Sequence, residues 1–482
     1  MVRQYRPLGS PVREYNNAPY SLSAADCGNC NAFAMDEQDE FKMKLEGVSG
    51  NNLKVPSGTA VQPVPKPALR DPEKWFSNGH PESAGYQTNS NGPGTSPKIV
   101  LYSHDTFGMG NIRRTLLLSQ EFINEYPGAS ILIITGSPMI HAFRIPKGID
   151  YIKLPCLDRL EAEQYAPRYL SSCAEEVKQT REAILKESVL RFNPDLMVID
   201  KRAAGVDGEL LPTLHALRQN SRHTKLVLGV RDILDEPERT RKVLASNGSF
   251  DVISQFYDEV WIYGSKLIFD TAKEYGFPES IVRKTFYCGY LKRPTISTGR
   301  KEGPPRVLIT TGGGGDGSDI IEAYLAGLST LPRNVALRTT VIFGPQMPER
   351  YRLELLRRFD YMADVEFLEF EADITNRYAE SDVVVSQAGY NTVCELLSFS
   401  RRAILIPRSE PVREQLIRAR LMAALDFFKI IEPQNLTPKT LISNILEALN
   451  SSSRISATLD LDGLPVIRER VCALLSCSRR AA

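Results

Sequence analysis

The sequence has no long uninterrupted apolar run. A helix that crosses a bilayer needs roughly 18 to 20 consecutive apolar residues, and no segment of the 482-residue chain approaches that length. The opening residues, MVRQYRPLGSPVREYNN, carry charge and proline where a secretory signal would be apolar. The sequence therefore predicts a cytoplasmic protein.

Neither sign of charge is in excess. Lys and Arg number 59 against 58 Asp and Glu, a formal net charge of +1, and no basic domain or stripe of the kind that binds nucleic acid is visible. We therefore expect no nucleic-acid partner. Local basic patches leave peripheral contact with an anionic membrane surface open.

Cysteine and histidine are both scarce. Eight cysteines scattered through a chain of this length are typical of reduced thiols and not of a disulfide framework. Cys27 and Cys30 form a C-x-x-C pair, but a structural zinc site needs four ligands and no second pair stands at suitable spacing. We predict no metal site.

Two kinds of sequence follow each other along the chain. Residues 1–96 are rich in Gly, Pro, Asn and Ser, which predicts a flexible, largely disordered leader with one short helix near 36–45. From residue 97 onward, continuous apolar runs alternate with amphipathic stretches, a pattern that indicates parallel strands buried on both faces. Strands are predicted at 98–103, 130–135, 196–200, 225–230, 259–264, 306–311, 338–344, 365–370, 382–387, 403–407 and 427–431. Helices are predicted at 112–126, 174–192, 319–328, 349–359, 392–399 and 414–425.

This alternation predicts an α/β fold of two facing, doubly wound Rossmann-like domains with a cleft between them. The first domain spans 97–297 and the second 303–450, joined by a polar hinge at 295–305. A tail at 451–482 contains a helix, predicted at 466–477, that packs across the first domain. Ligands of such sheets bind outside the carboxyl ends of the strands, so the loops that follow strands are candidate sites.

The loop after the first strand reads SHDTFGMGNIRR (103–114). Its glycines let the backbone approach a ligand just before a helix, although an ordinary tight turn would need them too. The arginines that open the helix would meet an anionic acceptor or would be solvated. The predicted acceptor-side loop comprises Gly108, Gly110, Asn111, Arg113 and Arg114.

Four consecutive glycines follow the strand at 306–311 and precede a helix: Gly312, Gly313, Gly314 and Gly315. Each costs about 0.5 to 1 kcal/mol relative to alanine, which is reasonable where backbone N–H groups approach phosphate oxygens. The P-loop lysine is absent, so this is not an ATPase motif. The alternative is a flexible surface loop.

The third loop joins the strand at 382–387 to a helix that we expect to begin near Asn391 or Thr392. The N–H groups of its first turn can receive a diphosphate. Thr392 and Glu395 share one helix face, and Glu395 can accept hydrogen bonds from both hydroxyls of a ribose. A capping box has the same T-x-x-E spacing and would explain both residues without a ligand.

The segment 386–420 resembles the donor-binding region of the family 28 glycosyltransferases. That region has a strand, an S-x-G turn, a helix carrying T-x-x-E, a strand ending in proline and a helix bearing glutamine. These features fall on Ser386, Gly389, Thr392, Glu395, Pro407 and Gln415. The order and spacing of 98–431 are similar too, which implies the GT-B architecture. Asn111 stands where the family often has a histidine, and Arg418 where it has an asparagine.

The resemblance implies transfer of a hexosyl or N-acetylhexosaminyl group from a nucleotide-sugar, UDP-linked, with inversion and without a required cofactor. The resemblance leaves a glycan, a lipid, a protein and a small molecule open as the acceptor, because acceptor loops carry no transferable code. The residues implied to bind the donor are Phe370 and Glu371 for the nucleobase, Glu395 for the ribose, Gly389, Tyr390, Asn391 and Thr392 for the diphosphate, and Gln415 for the sugar.

A base that deprotonates the acceptor should come from the first domain, across the cleft. The candidates are His104 and Asp105, directly after the first strand, and Asp232, after the strand at 225–230. Loop capping and solvation are the alternative roles. A nucleotide-sugar hydrolase or epimerase, or a catalytically silent binding protein, would share the donor motif. Five histidines in the whole chain are few for an epimerase.

Overall fold

A computed structural model of the protein describes residues 96–104, 110–161, 164–295, 302–332, 335–451, 459 and 461–481. The leader up to residue 95, with its predicted helix and the Cys27–Cys30 pair, lies outside the described residues. So do Asp105, Gly108 and most of the predicted hinge. Of the helices that the structure describes, none is both long enough and apolar enough to cross a bilayer.

In the described part of the chain, seven parallel strands form the sheet of the first lobe, and the apolar residues of its inner strands are buried on both faces. Tyr102 in the first strand, for example, lies opposite Ile134 and Ile199 of the two neighbouring strands. The strands are β1 (Lys98–Ser103), β2 (Ser130–Thr135), β3 (Ile149–Lys153), β6 (Leu196–Asp200), β7 (Lys225–Arg231), β8 (Glu259–Tyr263) and β9 (Thr285–Tyr287). Their order is β3-β2-β1-β6-β7-β8-β9, and an antiparallel hairpin of β4 (Leu157–Glu161) and β5 (Gln164–Pro167) is inserted after β3.

Six parallel strands form the sheet of the second lobe. They are β10 (Arg306–Thr310), β11 (Arg338–Ile342), β12 (Val365–Leu368), β13 (Val383–Ser386), β14 (Arg402–Leu405) and β15 (Lys429–Ile430), in the order β12-β11-β10-β13-β14-β15.

The first-lobe helices are α1 (Gly110–Glu125), α2 (Ala174–Phe192), α3 (Leu211–Asn220), α4 (Pro237–Ser246), α5 (Ser249–Phe256), α6 (Thr271–Glu274) and α7 (Glu279–Val282). The helices that follow are α8 (Ser318–Leu328), α9 (Glu349–Phe359), α10 (Thr375–Glu380), α11 (Tyr390–Ser398), α12 (Glu414–Ala424), α13 (Pro438–Asn450) and α14 (Gly463–Ala481).

Both sheets belong to one compact unit, and each reverses its strand order once. The reversal falls between β1 and β6 in the first sheet and between β10 and β13 in the second. Connections that leave such a point in opposite directions open a crevice at the carboxyl ends of the strands. The prediction of two doubly wound domains is therefore confirmed, and the loops after these four strands form the candidate site.

The helix predicted in the tail is confirmed and longer than expected. Helix α14 packs against α1 of the first lobe, where Arg468 pairs with Glu121 at 3.0 Å and Ile467 and Val471 are buried. Strands β3 and β9 and the hairpin were not predicted. Their residues are partly exposed, so their sequences lack the continuous apolar runs of the central strands.

Candidate functional site

A cavity of about 230 Å³ lies between the lobes at the carboxyl ends of their central strands. Most of the first-lobe residues that line it follow or end β1, β6 and β7, and most of the second-lobe residues follow β10, β13 and β14. Tyr165 of β5 and Gln346, after β11, complete the lining. The lining residues include His104, Gly110, Asn111, Arg113, Lys201, Arg202 and Arg231 on the first-lobe side, and 312–316, 389–392, Arg408 and Gln415 on the other. The three loops singled out by the sequence therefore meet in one cavity.

The glycine loop after β10 is an ordered turn. Gly312 and Gly314 have φ angles of +64° and +89°, in the left-handed region that favours glycine. A Cβ atom on Gly314 would lie 2.3 Å from the carbonyl oxygen of Phe343. The Gly313 carbonyl accepts the Gln346 N–H at 2.8 Å. The backbone of the loop is therefore fixed against its neighbours, unlike that of a flexible surface loop.

Helix α11 starts in the cavity without a side-chain cap. Its N-cap is Gly389, and helical bonding begins with the Val393 N–H, which donates to the Gly389 carbonyl at 3.0 Å. The N–H groups of the first turn therefore have no helical acceptor and can receive an anion. Because the helix begins at Tyr390, Thr392 is its third residue and not its cap. The capping-box interpretation therefore does not apply.

Glu395 is buried on α11, with only 3% of its surface exposed. One carboxylate oxygen accepts a hydrogen bond from the Arg113 guanidinium of the first lobe, and Oε2 has no hydrogen-bond partner among the described residues. A second cavity, of about 30 Å³, lies beside Arg113 and is lined by Phe370, Glu371 and Thr392. Glu395 itself lines neither cavity, and Arg113 is the residue that connects it to the predicted nucleobase residues.

The side chains of Asn391 and Tyr390 connect α11 to the first lobe. Asn391 Nδ2 donates to the Gly110 carbonyl at 2.7 Å, and Asn391 Oδ1 accepts from Arg293 at 2.7 Å. The Tyr390 ring stacks on Tyr290 with centroids 6.0 Å apart. These contacts hold the two lobes together and leave the backbone N–H groups for a diphosphate.

Arg114 is a core residue and not a solvated surface charge. It is 1% exposed, and its Nη2 lies 2.6 Å from both carboxylate oxygens of Asp200. The same Nη2 donates to Asn111 Oδ1 at 3.1 Å. Asp200 therefore neutralises the charge of Arg114 within the first lobe. Arg114 nevertheless lines the cavity, and its Nη1 has no hydrogen-bond partner among the described residues, so its contact with an anionic acceptor stays a prediction.

His104 lies in the cavity wall and is 5% exposed. Its Nδ1 has no hydrogen-bond partner in the described part of the chain. Burial lowers the pKa of the imidazole well below 6.5, and the nearby cations Arg202 and Lys201 lower this pKa further. The side chain is therefore neutral near pH 7 and able to accept a proton.

Asp232 is not available as a base. Its two carboxylate oxygens accept hydrogen bonds from Arg418 of α12, at 2.9 Å from Nε to Oδ2 and 2.7 Å from Nη2 to Oδ1. Oδ2 also accepts the Tyr290 hydroxyl at 3.0 Å. The prediction is wrong because this buried ion pair keeps Asp232 out of the cavity lining. Arg418, for the same reason, does not take the place of the family asparagine at the sugar.

Gln415 lines the cavity from the first turn of α12, and its Oε1 accepts the Arg408 N–H at 3.2 Å. Glu414 beside it pairs with Arg231 at 3.3 Å and with Arg418 at 2.9 Å. The sequence does not single out Arg231, Arg408 and Glu414. Both Arg231 and Arg408 lie at strand ends, however, where the rule for parallel sheets would have located them.

Residues 307–460 match the model of the glycosyltransferase family 28 C-terminal domain. Over 189 residues the chain is 28% identical to the UDP-N-acetylglucosamine–N-acetylmuramyl-(pentapeptide) pyrophosphoryl-undecaprenol N-acetylglucosamine transferase of Haemophilus influenzae, covering 38% of this chain and 51% of that protein. The protein of the same name from Phenylobacterium zucineum is 29% identical over 155 residues, covering 32% and 42%. The chain thus spans about half the length of these curated relatives or less.

Two solved structures share the arrangement of the two lobes. The spinosyn forosaminyltransferase has a TM-score of 0.53 at 12% identity, covering 79% of this chain and 99% of that one. A proposed UDP-N-acetylglucosamine 2-epimerase from Listeria monocytogenes has a TM-score of 0.51 at 12% identity, covering 80% and 97%. At these identities the likeness concerns the fold alone. The chain therefore has the GT-B fold, and its second lobe is similar to the glycosyltransferase family 28 C-terminal domain.

Proposed function

We propose that the chain is a glycosyltransferase that moves a hexosyl or N-acetylhexosaminyl group from a UDP-linked donor to an acceptor hydroxyl, with inversion. The observation that carries this proposal is that the ordered glycine loop and the uncapped start of α11 line one cavity together with His104. Two sets of backbone N–H groups in one cavity suit a diphosphate. The names of the curated relatives support a UDP-linked donor.

The proposed reaction is a single displacement. The acceptor oxygen bonds to the anomeric carbon while the bond from that carbon to the diphosphate oxygen breaks. The neutral imidazole of His104 takes the hydroxyl proton, and the backbone N–H groups at the start of α11 stabilise the charge that builds on the diphosphate. The products are UDP and a glycoside of inverted configuration.

The acceptor is the less constrained substrate. The curated relatives are named for transfer to a sugar carried on pyrophosphoryl-undecaprenol. We therefore take a lipid-linked acceptor as the first candidate, and with it a cytoplasmic location that includes contact with the membrane surface. A glycan or a small molecule is the alternative acceptor.

Donor turnover tests the proposal. The purified chain is incubated with UDP-N-acetylglucosamine or UDP-glucose, with and without candidate acceptors, and the products are identified by mass spectrometry. Transfer to an acceptor is the expected result. Free sugar, isomerised donor, or binding without turnover would instead indicate a hydrolase, an epimerase or a silent binding protein. A nucleotide-sugar retained on purification would identify the donor directly.

A further inference from the structure

We propose that Arg113, although it belongs to the acceptor-side lobe, binds the donor by exchanging Glu395 for the donor diphosphate. The inference rests on the proposed function, because it requires a nucleotide-sugar in the cleft. It replaces the acceptor contact that the sequence predicts for Arg113 with a contact to the donor diphosphate.

Arg113 lies where the two cavities meet. It lines the larger cavity beside the glycine loop and also the smaller one beside Phe370 and Glu371. Gly312 and Thr392 line both cavities as well. A nucleotide that extends from the nucleobase residues to the start of α11 must pass between the cavities, so its ribose would lie at Arg113.

In the structure, Arg113 occupies this passage. Its guanidinium donates to the Oε1 atom of Glu395, the carboxylate that the ribose is expected to use. The smaller cavity, of about 30 Å³, has room for roughly two or three water molecules and not for a pyrimidine ring. Phe143 of the first lobe lines this cavity too. Donor entry therefore requires first-lobe side chains to move and the ion pair between Arg113 and Glu395 to open.

The donor offers new partners to both members of the ion pair. The Arg113 side chain is 24% exposed and lies in the wall of the larger cavity, where the diphosphate would be bound. A guanidinium matches phosphate oxygens with two parallel hydrogen bonds. Ribose hydroxyls can donate to both oxygens of Glu395, including Oε2, which has no partner among the described residues.

The backbone of Arg113 stays in place during the exchange. Its carbonyl accepts a hydrogen bond from Arg293 at 3.3 Å, and Arg293 also bonds Asn391 of α11 at 2.7 Å. Only the side chain therefore needs to change rotamer. The exchange would connect the acceptor-side lobe to the bound donor, because Arg113 lies in the first turn of that lobe's first helix.

The test compares two probes that differ only in phosphate. Uridine competes with Arg113 for Glu395 but offers no diphosphate, whereas UDP offers both groups. In calorimetric titrations, we expect Arg113→Ala to strengthen uridine binding about threefold and to weaken UDP binding about threefold. The ratio of UDP affinity to uridine affinity then falls about tenfold. We expect Arg113→Lys, which keeps the charge without the planar fork, to give an intermediate ratio.

Arg306→Ala is the matched control. Arg306 forms a partly exposed ion pair with Glu380 at 2.7 Å, and it lies at the opposite end of β10 from the glycine loop. This variant should leave the ratio unchanged. Thermal unfolding of the Arg113 variants checks that they are folded before they are titrated.

Three results would overturn the exchange. If Arg113→Ala binds both uridine and UDP more weakly, Arg113 is a positioning residue for Glu395. If it binds both more tightly, Arg113 only obstructs the site. If neither affinity changes, Arg113 has no role in donor binding. In each of these cases, UDP binding to the wild-type chain would still support the proposed donor site. Absence of UDP binding to the wild type would overturn the exchange and the proposed donor together.

Discussion

Arg418 of the second lobe and Asp232 of the first form a buried bidentate ion pair, in which neither side chain is more than 1% exposed. Burial acts to lower the pKa of Arg418, but the carboxylates of Asp232 and Glu414 raise this pKa well above its ordinary value. Arg418 is therefore charged. Arg418 also pairs with Glu414 of its own helix at 2.9 Å, whereas Asp232 belongs to the first lobe, so it is the pair with Asp232 that connects the two lobes.

We expect removal of one member of this pair to be costly. Arg418→Met leaves Asp232 buried without its cation, so the free energy of unfolding, measured by urea denaturation, should fall by about 3 to 5 kcal/mol. The double variant Asp232→Leu with Arg418→Met should recover part of the loss, because no buried charge is left uncompensated.

A surface ion pair provides the control for this loss. Arg358 and Glu322 lie 2.7 Å apart with side chains 40% and 47% exposed, so Arg358→Met should cost less than about 1 kcal/mol. Similar losses for Arg418→Met and Arg358→Met would contradict a structural role for the buried pair.

Glu395→Ala should weaken UDP binding about tenfold or more while the fold is retained. The carboxylate does not cap α11, whose N-cap is Gly389, so its removal leaves the helix start intact. A UDP analogue without ribose hydroxyls should bind the wild type about as weakly as UDP binds Glu395→Ala. The affinity of Glu395→Ala for this analogue should be no lower than that of the wild type. Calorimetric titration measures both, and unchanged affinity of Glu395→Ala for UDP would reject the ribose role.

His104→Ala should lower turnover more than it lowers donor affinity, because His104 lines the cavity from the first lobe, which the proposal assigns to the acceptor. Since the pKa of His104 lies well below 6.5, the imidazole stays neutral as the pH falls through that value. Turnover of the wild type at saturating donor should therefore persist on the acid side of pH 6.5 and fall only at lower pH. Normal turnover of His104→Ala would remove the residue from the mechanism.

Arg202→Gln offers a second measurement on the same group. Arg202 is the strongest charged contribution that lowers the pKa of His104, so its removal should raise this pKa. The acid limb of the turnover profile should then move to higher pH than in the wild type. If the fall of turnover at low pH occurs at the same pH in Arg202→Gln as in the wild type, a group other than His104 is responsible for it.

Glu414 should give the stability a pH dependence in the acid range. Burial acts to raise its pKa, but Arg231, Arg418 and Arg408 offset this and lower the pKa from 4.5 to about 2. A lowered carboxyl pKa stabilises the fold above pH 4.5, and this contribution is lost as the pH falls towards the folded-state value. Its size is on the order of 3 kcal/mol.

The variant Glu414→Gln isolates this contribution. The difference in the free energy of unfolding between wild type and variant should be largest near neutral pH and should shrink as the pH falls below 4.5. Urea denaturation at a series of pH values measures it. A difference independent of pH would show that the loss comes from packing and not from the charge.

The central strands could be predicted because their information is local. Runs such as KIVLYS and DVVVSQ are continuous in apolar residues, and the structure has strands there as β1 and β13. The rule that ligands bind at the carboxyl ends of strands then located the glycine loop and the start of α11, which share one cavity. The hairpin of β4 and β5 carries no comparable signal.

The role of individual charges could not be predicted in the same way. Asp232 follows a strand end, as a catalytic base should, but its partner Arg418 lies 186 positions further along the chain. Arg114 opens a helix near the cavity, yet Asp200 neutralises it from 86 positions away. A local sequence pattern does not indicate which arginine forms an ion pair with which carboxylate in the folded protein.

The amino-acid order by itself determined the two doubly wound sheets, the glycine turn and the exposed amides of α11, since each follows from residues adjacent in the chain. Tertiary structure alone decided which polar groups line the cleft without a partner and which form buried ion pairs within or between the lobes. The physical reason is that a charged side chain can bind a ligand only if folding leaves it accessible and without an ion-pair partner. Its burial and its partners depend on residues far away in the chain, so no periodic pattern in the sequence reveals them.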